Sequence, residues 1–340
     1  MSRLLVLSSG PGVPSTEFRV LPFAERLRGE GHTVVLRHSW PRLYTQKRWL
    51  GFRGSNLARR SLRRLDAALA RLGRFDAVFV ERQLFDDETT DVEARLRRAA
   101  RRLVFDVDDA VHLGREGKFA RLWGSADVVL AGNPLLMEAA AEHCGDVRFM
   151  PTVVDADRFA YREPPDRTPV VIGWMGTSSN LPGVAGLRPA IERVAAGRDV
   201  RLRIVSNRSP AWEEFRGWSL PVETLEWSRE TETDAVAGFD VGLMPLPDTV
   251  WSRGKCGLKL IQYLSAGVAS VASPAGVNKT IAAGGAALTA ESTDEWADAL
   301  ARLVGSVEAR REHARVGRRR VEEDYSLAAW YDRWKAAVFG

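Results

Sequence analysis

Asp240-Val-Gly-Leu-Met-Pro-Leu-Pro-Asp248, then Trp251-Ser-Arg-Gly-Lys-Cys-Gly-Leu-Lys-Leu-Ile-Gln-Tyr-Leu-Ser-Ala-Gly267 and Val268–Ala272, reads as strand, loop, helix, strand. The apolar runs Val241–Met244 and Val268–Ala272 lack strict alternation, so both are expected to be buried on two faces. A strand–helix–strand unit of this kind builds a parallel sheet.

The same alternation extends outward along the chain. In the first half, Leu4–Leu7, Thr33–Leu36, Ala77–Val80, Leu103–Phe105 and Val128–Leu130 are predicted strands, with a helix near Glu17–Gly29. In the second half, Val170–Trp174, Leu202–Val205, Val241–Met244 and Val268–Ala272 follow, with Ala287–Leu288 as a weaker strand. Ser306–Val338 reads as two helices broken near Tyr325-Ser326. Between the halves, the two prolines of Arg162-Glu-Pro-Pro-Asp-Arg167 suit neither a helix interior nor a central strand, and mark a linker. The expected fold class is α/β: two doubly wound Rossmann-like domains facing each other across a cleft, over 1–163 and 168–323. Ligands of such sheets bind at the carboxyl ends of the strands.

Composition agrees with that size. The chain has 340 residues, 45% hydrophobic and 27% charged, with 49 Lys+Arg against 44 Asp+Glu for a net +5. It is too apolar for a disordered chain and lacks the ~20-residue apolar stretches of a polytopic membrane protein. The apolar run after Met1 is four residues long, which suits a first strand and is too short for a signal peptide. Cys144 and Cys256 stand alone, so neither a disulfide framework nor a four-ligand zinc site is expected, and the chain reads as cytosolic.

The loop before the second-half helix carries the chemistry. Gly254, Lys255 and Gly257 stand at its start, with Arg253 and Lys259 adding charge. Glycine admits a ligand close to the backbone, and a helix N-terminus presents unpaired N–H groups to an anion. The segment therefore suits a diphosphate; a solvated basic loop with a glycine turn is the plainer alternative.

Other strand-end residues are open to two readings. Asp106, Asp108 and Asp109 follow a strand and repel one another unless donors or a cation stand nearby. They fit acceptor hydroxyls, a catalytic base or a helix cap. Arg19, Glu81 and Arg82 fit either substrate contact or ordinary ion pairs. His112 and Trp227 read as structural residues.

Between Arg37 and Phe75 stand eleven Lys and Arg and one acid, Asp66. Leu57, Ser61/Leu62, Leu65, Leu69 and Leu72 recur at helical spacing, and over Asn56–Leu72 the leucine stripe is expected to pack on the sheet with the arginines solvated. In Trp40–Arg53, aromatic and basic residues are mixed, a pattern suited to contact with an anionic membrane surface at its cytoplasmic face. No nucleic-acid-binding motif accompanies the basic surface, and nucleic acid is not an expected partner.

Taken together, the ordered motifs resemble glycosyltransferases of the GT-B fold, in particular the retaining bacterial enzymes of the group 1 type. The resemblance spans nearly the whole chain. It rests on Gly173-Trp-Met-Gly176, Phe239-Asp-Val-Gly-Leu-Met-Pro-Leu246, Gly254-Lys-Cys-Gly-Leu-Lys-Leu-Ile-Gln-Tyr263, Ala266-Gly267 and Ser273-Pro-Ala-Gly-Val-Asn278. In the first half, Phe105-Asp-Val-Asp-Asp-Ala110 and Pro151-Thr-Val-Val-Asp155 also fit. The family commonly places two glutamates, with seven residues between them, around this helix start; here those positions hold Gly254 and Gln262. The Arg and Lys that usually follow the second domain's first strand are replaced by Gly176-Thr-Ser-Ser-Asn180.

The resemblance implies a hexosyltransferase acting on a nucleotide diphosphate sugar (UDP-, GDP-, ADP- or TDP-linked), with a glycan, lipid-linked or small-molecule acceptor, in polysaccharide or glycolipid assembly. It implies retention of configuration. Donor contacts are expected from Gly176, Thr177, Ser178, Arg253, Lys255, Gly257, Leu258, Lys259 and Gln262, with Lys255, Lys259, Asp108 and Asp109 in catalysis. No cofactor or catalytic metal is expected; the Asp-x-Asp metal motif belongs to the other large glycosyltransferase fold. Residues 324–340 are expected to cross back onto the first domain. A sugar-nucleotide epimerase or phosphorylase, or a non-catalytic partner subunit, are the alternatives on this scaffold.

Overall fold

The computed structural model describes residues 1–207 and 213–340, which form two six-stranded parallel sheets with helices around them. The chain divides into two compact units. The first comprises residues 1–152, 254–256 and 330–340, and the second residues 153–253 and 257–329.

In the first unit, the strands are β1 (Arg3–Ser8), β2 (Thr33–His38), β3 (Ala77–Glu81), β4 (Leu103–Val107), β5 (Val128–Ala131) and β6 (Val147–Phe149), in the order β2-β1-β3-β4-β5-β6. Its helices are α1 (Leu21–Gly29), α2 (Gly51–Leu72), α3 (Asp91–Ala99), α4 (Glu116–Gly124) and α5 (Pro134–Ala141). The strand order reverses direction at β1 and β3, which puts this unit's crevice at their carboxyl ends. The helix expected near Glu17 begins instead as a π-helical turn, Thr16–Val20, before α1.

In the second unit, β7 (Val170–Gly176), β8 (Val200–Ser206), β9 (Val222–Glu226), β10 (Val241–Met244), β11 (Ala269–Ala272) and β12 (Leu288–Thr289) run in the order β12-β11-β10-β7-β8-β9. The helices α6 (Leu181–Ala185), α7 (Arg188–Ala195), α8 (Glu232–Ala237), α9 (Val250–Arg253), α10 (Leu258–Ser265), α11 (Asn278–Ala282), α12 (Thr293–Gly305) and α13 (Val307–Asp324) follow in chain order. Here the switch point lies between β7 and β10. Ile172, Trp174, Leu202, Leu243 and Val271 fill the core under α12, whose Trp296 and Leu300 are buried against them. Residues 153–167 pack with this unit: Arg162 N–H donates to Ala266 O, and Arg310 and Arg311 donate to the carbonyls of Pro165 and Pro164.

The last helix, α14 (Leu327–Phe339), follows a break at Tyr325-Ser326, where Ser326 bridges Val154. From Trp330 onward it belongs to the first unit. Trp334 stacks on Phe23 at 4.8 Å and meets Phe79 at 5.7 Å between ring centroids, and Lys335 pairs with Glu30 at 2.6 Å.

Helix α2 corrects the expectation that its leucines pack and its arginines are solvated. The buried face carries Ser55, Arg59, Arg63, Asp66, Ala67 and Ala70, while Leu57, Leu65 and Leu72 are exposed. The reason lies in hydrogen bonding. Arg59 donates to the carbonyls of Pro41, Arg42 and Thr45, and Arg63 donates to Ser8 O at 2.6 Å, to Arg37 O and to Asp66. Loop carbonyls that enter the interior need donors, and the two guanidiniums supply them. No helix among the described residues is long and apolar enough to cross a membrane.

Candidate functional site

Each unit brings a set of predicted residues to the carboxyl ends of its strands. In the second unit, β7 ends at Gly176, and the loop Thr177–Asn180 is closed by its own polar groups. Asn180 Nδ2 donates to Thr177 Oγ1 at 2.7 Å, and Ser178 N–H donates to Asn207 Oδ1 at 3.0 Å. Beside it, Gly257 caps the start of α10 with φ of 68°, a left-handed conformation that favours glycine. A side chain there would also strike Ile281, since an added Cβ lies 2.3 Å from its Cδ1.

Lys259, in the first turn of α10, reaches across to β7. Its Nζ lies 6.0 Å from the centroid of the Trp174 ring. A Cβ on Gly176 would sit 2.5 Å from Lys259 Cε and 2.6 Å from the Trp174 ring, so this path for the lysine depends on glycine at 176. Gln262, one turn along, is buried. Tyr263 anchors the helix from below by accepting a hydrogen bond from Met175 N–H at 2.9 Å. Gly176, Thr177, Ser178, Gly257, Leu258, Lys259 and Gln262 therefore all lie in two segments at one switch point.

Arg253 has a different neighbour. It is exposed and makes a two-point pair with Asp248, both contacts at 2.7 Å. Trp227 is half-buried, and its indole N–H donates to Glu232, which also pairs with Arg158. Glu232 thus joins Trp227 and Arg158, a structural role for Trp227 in keeping with the sequence reading.

In the first unit, the carboxylates found after β3 and β4 are met by arginines. Glu81 accepts from Ser9 N–H at 2.9 Å, from Thr16 Oγ1 at 2.7 Å and from Ser15 Oγ, and so ties down the glycine loop after β1. Arg19 holds Asp106 at two points, 2.6 and 2.8 Å, and donates to Met150 O. Burial pushes Asp106 up to about 6 despite that guanidinium. Arg82 pairs with Asp108 at 2.5 Å and Asp109 at 2.6 Å. Burial of Asp108 works against its charge, but Arg82 and Arg19 outweigh it and hold the carboxyl below its usual range. These pairs resolve the mutual repulsion expected of the three aspartates.

Residues 254–256 pack within this unit. Asn133 caps α5 through Leu136 N–H and donates from Nδ2 to Gly254 O at 2.7 Å. Cys256 Sγ donates to Asp108 O at 2.9 Å, and burial pushes its thiol up to about 12. Burial pulls the Lys255 ammonium down, with Asp109 opposing. Lys255 thus packs with the carboxylates of the first unit and Lys259 with the second. Asn133 was not singled out in the sequence, although Asn133-Pro134 carries the signature of a capped helix start. His112 is buried against Phe119 and Trp123.

Residues 169–306, from β7 to the end of α12, match the model of a family described as Glycosyl transferases group 1. Among solved structures, HepE from Anabaena, in complex with UDP and glucose, is 13% identical with a TM-score of 0.69 over 99% of both chains. A UDP-forming alpha,alpha-trehalose-phosphate synthase from Burkholderia vietnamiensis is 13% identical with a TM-score of 0.70 over 99% of both chains. A glycosyltransferase from Rickettsia africae is 12% identical with a TM-score of 0.71, covering 98% of this chain and 97% of its own. At such identities the likeness is one of fold, and the fold is GT-B. No curated protein matches the sequence.

Proposed function

As residues 169–306 match the model of the glycosyl transferases group 1 family and the chain has the GT-B fold, we propose that the protein moves a sugar from a nucleotide diphosphate sugar to an acceptor hydroxyl. One observation carries this reading: Lys259 crosses from the N-terminus of α10 to Gly176 at the end of β7, uniting a cation, a helix start and a hydroxyl-rich loop.

The sugar–phosphate bond breaks as negative charge gathers on the departing diphosphate. Lys259 and the N–H groups at Gly257-Leu258 meet that charge without reorganising, which lowers the barrier. Thr177 and Ser178 donate to phosphate oxygens, and Gln262 offers both a donor and an acceptor to a ribose diol. Lys259 thereby fills the role of the Arg and Lys that the family usually carries after this strand. Arg253 joins the site if the diphosphate displaces Asp248 from it. Lys255, a second cation of the same sequence segment, packs within the first unit beside Asp109.

The first unit takes the acceptor. Asp108 and Asp109, both paired with Arg82, accept hydrogen bonds from its hydroxyls. The reaction retains configuration: the leaving phosphate removes the acceptor proton, so no enzymic base is used. NMR analysis of the product anomer tests this, and an inverted product would shift the role of base to Asp109, whose side chain is the more exposed of the two. The protein works in the cytoplasm on a glycan or lipid-linked acceptor, with Trp40–Arg53 at the membrane.

Gly176→Ala is the sharpest structural check. The new methyl collides with the Trp174 ring and the Lys259 stem, so donor turnover should fall about 10- to 100-fold, in the range of a misplaced catalytic group. Combined with Lys259→Ala, the loss should be less than the product of the two, because both act on one lysine. Full multiplicativity would separate Gly176 from Lys259. Turnover of donor in the absence of any acceptor, beyond slow hydrolysis, would favour an epimerase or phosphorylase.

A further inference from the structure

We propose that the outer face of α2, with the loop before it, is a docking surface for an anionic lipid bilayer. This deepens the membrane contact placed on Trp40–Arg53 above and rests on that reading of the acceptor's location. Positions 57, 61, 65, 68 and 72 line one face of a 3.6-residue helix. Leu57, Leu65 and Leu72 on it are 65%, 62% and 80% exposed. The aromatic residues just upstream, Trp49 and Phe52, are 75% and 63% exposed.

This face is not exposed for want of a helical period. The opposite face is fixed by Arg59 and Arg63, which are committed to loop carbonyls, so the leucines cannot rotate inward without stripping those carbonyls of donors. An apolar stripe held outward by buried hydrogen bonds marks an interaction surface.

Charge selects the occupant. From Trp40 to Leu72 the lone acid is Asp66, which is buried between Arg37 and Arg63. Arg53, Arg64 and Arg71 flank the leucines, and Lys47 and Arg48 stand beside the aromatics. On the inner side of the helix, Asp86, Glu81 and Glu93 act on the buried Arg59 and Arg63, while Asp87 pairs with Arg60 and Asp91 stands 3.8 Å from Arg64. An excess of cations around an apolar stripe matches the boundary of anionic headgroups and acyl chains, where a helix lies in the plane of the surface. A second copy of this chain would bring the same cations into opposition, and a nucleic acid would leave the leucines in water.

The test is co-sedimentation of the whole protein with vesicles of phosphatidylcholine, alone or mixed with phosphatidylglycerol, at low and high salt. Two triple variants accompany it, Leu57→Gln/Leu65→Gln/Leu72→Gln and Arg53→Gln/Arg64→Gln/Arg71→Gln. The wild type should bind the phosphatidylglycerol vesicles at low salt and be released by high salt, and each variant should bind at least ~10-fold more weakly. All six side chains are exposed, so folding is retained, which circular dichroism and calorimetric donor binding verify. Equal binding to the two vesicle types, or a leucine variant that binds as the wild type does, would overturn the proposal. So would a vesicle-free dimer that the leucine substitutions dissolve. Vesicle binding without sugar transfer would count against the transferase reading and leave this surface standing.

Discussion

Lys259→Ala is expected to lower the turnover of sugar transfer about 100- to 1,000-fold, the usual cost of removing one preorganised group from a site of developing charge. Lys259 stands in the first turn of α10, where the helix dipole already favours an anion, and its ammonium is carried over Trp174 toward the loop after β7. Its ammonium lies 6.0 Å from that ring's centroid, so alanine removes the charge and the side chain that carries it there. Lys259→Met keeps the stem and removes only the charge. It should lose the same turnover while leaving the urea midpoint within error of the wild type. A methionine variant as active as the wild type would assign the lysine to packing alone.

Arg19→Met should destabilise the fold by about 3–5 kcal/mol at neutral pH, the range for leaving a buried charge without its partner. Asp106 is 1% exposed, and Arg19 supplies two of its hydrogen bonds while also serving Met150 O. Methionine fills the space without pairing the carboxylate. Asp106 carries a pH signature of its own. Its pKa in the folded state is raised to about 6, above its ordinary value, so the folded state holds a proton that the unfolded chain has lost. Its contribution to stability is therefore greatest at low pH, declines as pH rises to about 6, and is level above that. Urea titrations of wild type and Asp106→Asn between those limits should differ in slope in that direction. Parallel curves would remove Asp106 as the titrating group.

How much of this was legible beforehand depends on burial. The central strands of both sheets declared themselves as short apolar runs, because parallel strands covered on two faces carry little else. The edge strands β6 and β9 did not. Val147-Arg-Phe149 and Val222-Glu-Thr-Leu-Glu226 are partly exposed and mixed in polarity, which gives no contrast with a loop. The face of α2 was misread for a related reason. Hydrophobic periodicity finds the leucines, but it cannot see that Arg59 and Arg63 are spent on carbonyls brought in by the loop after β2. At the site, the glycine and lysine pattern of 254–259 pointed to two segments that meet at a switch point. Arg19 and Arg82 were visible as candidates, yet their commitment to Asp106, Asp108 and Asp109 depends on pairings 26 to 87 residues apart in sequence.

The central claim is that the end of β7 and the start of α10 grip a diphosphate. Isothermal titration calorimetry with UDP, GDP, ADP and TDP, each beside its bare nucleoside, addresses it without knowledge of the acceptor. The account predicts that at least one diphosphate binds the wild type ~10-fold or more tightly than its nucleoside, a margin worth about 1.4 kcal/mol, and that Lys259→Met erases the margin. Diphosphates that bind no better than nucleosides, or a margin that survives in Lys259→Met, would contradict it.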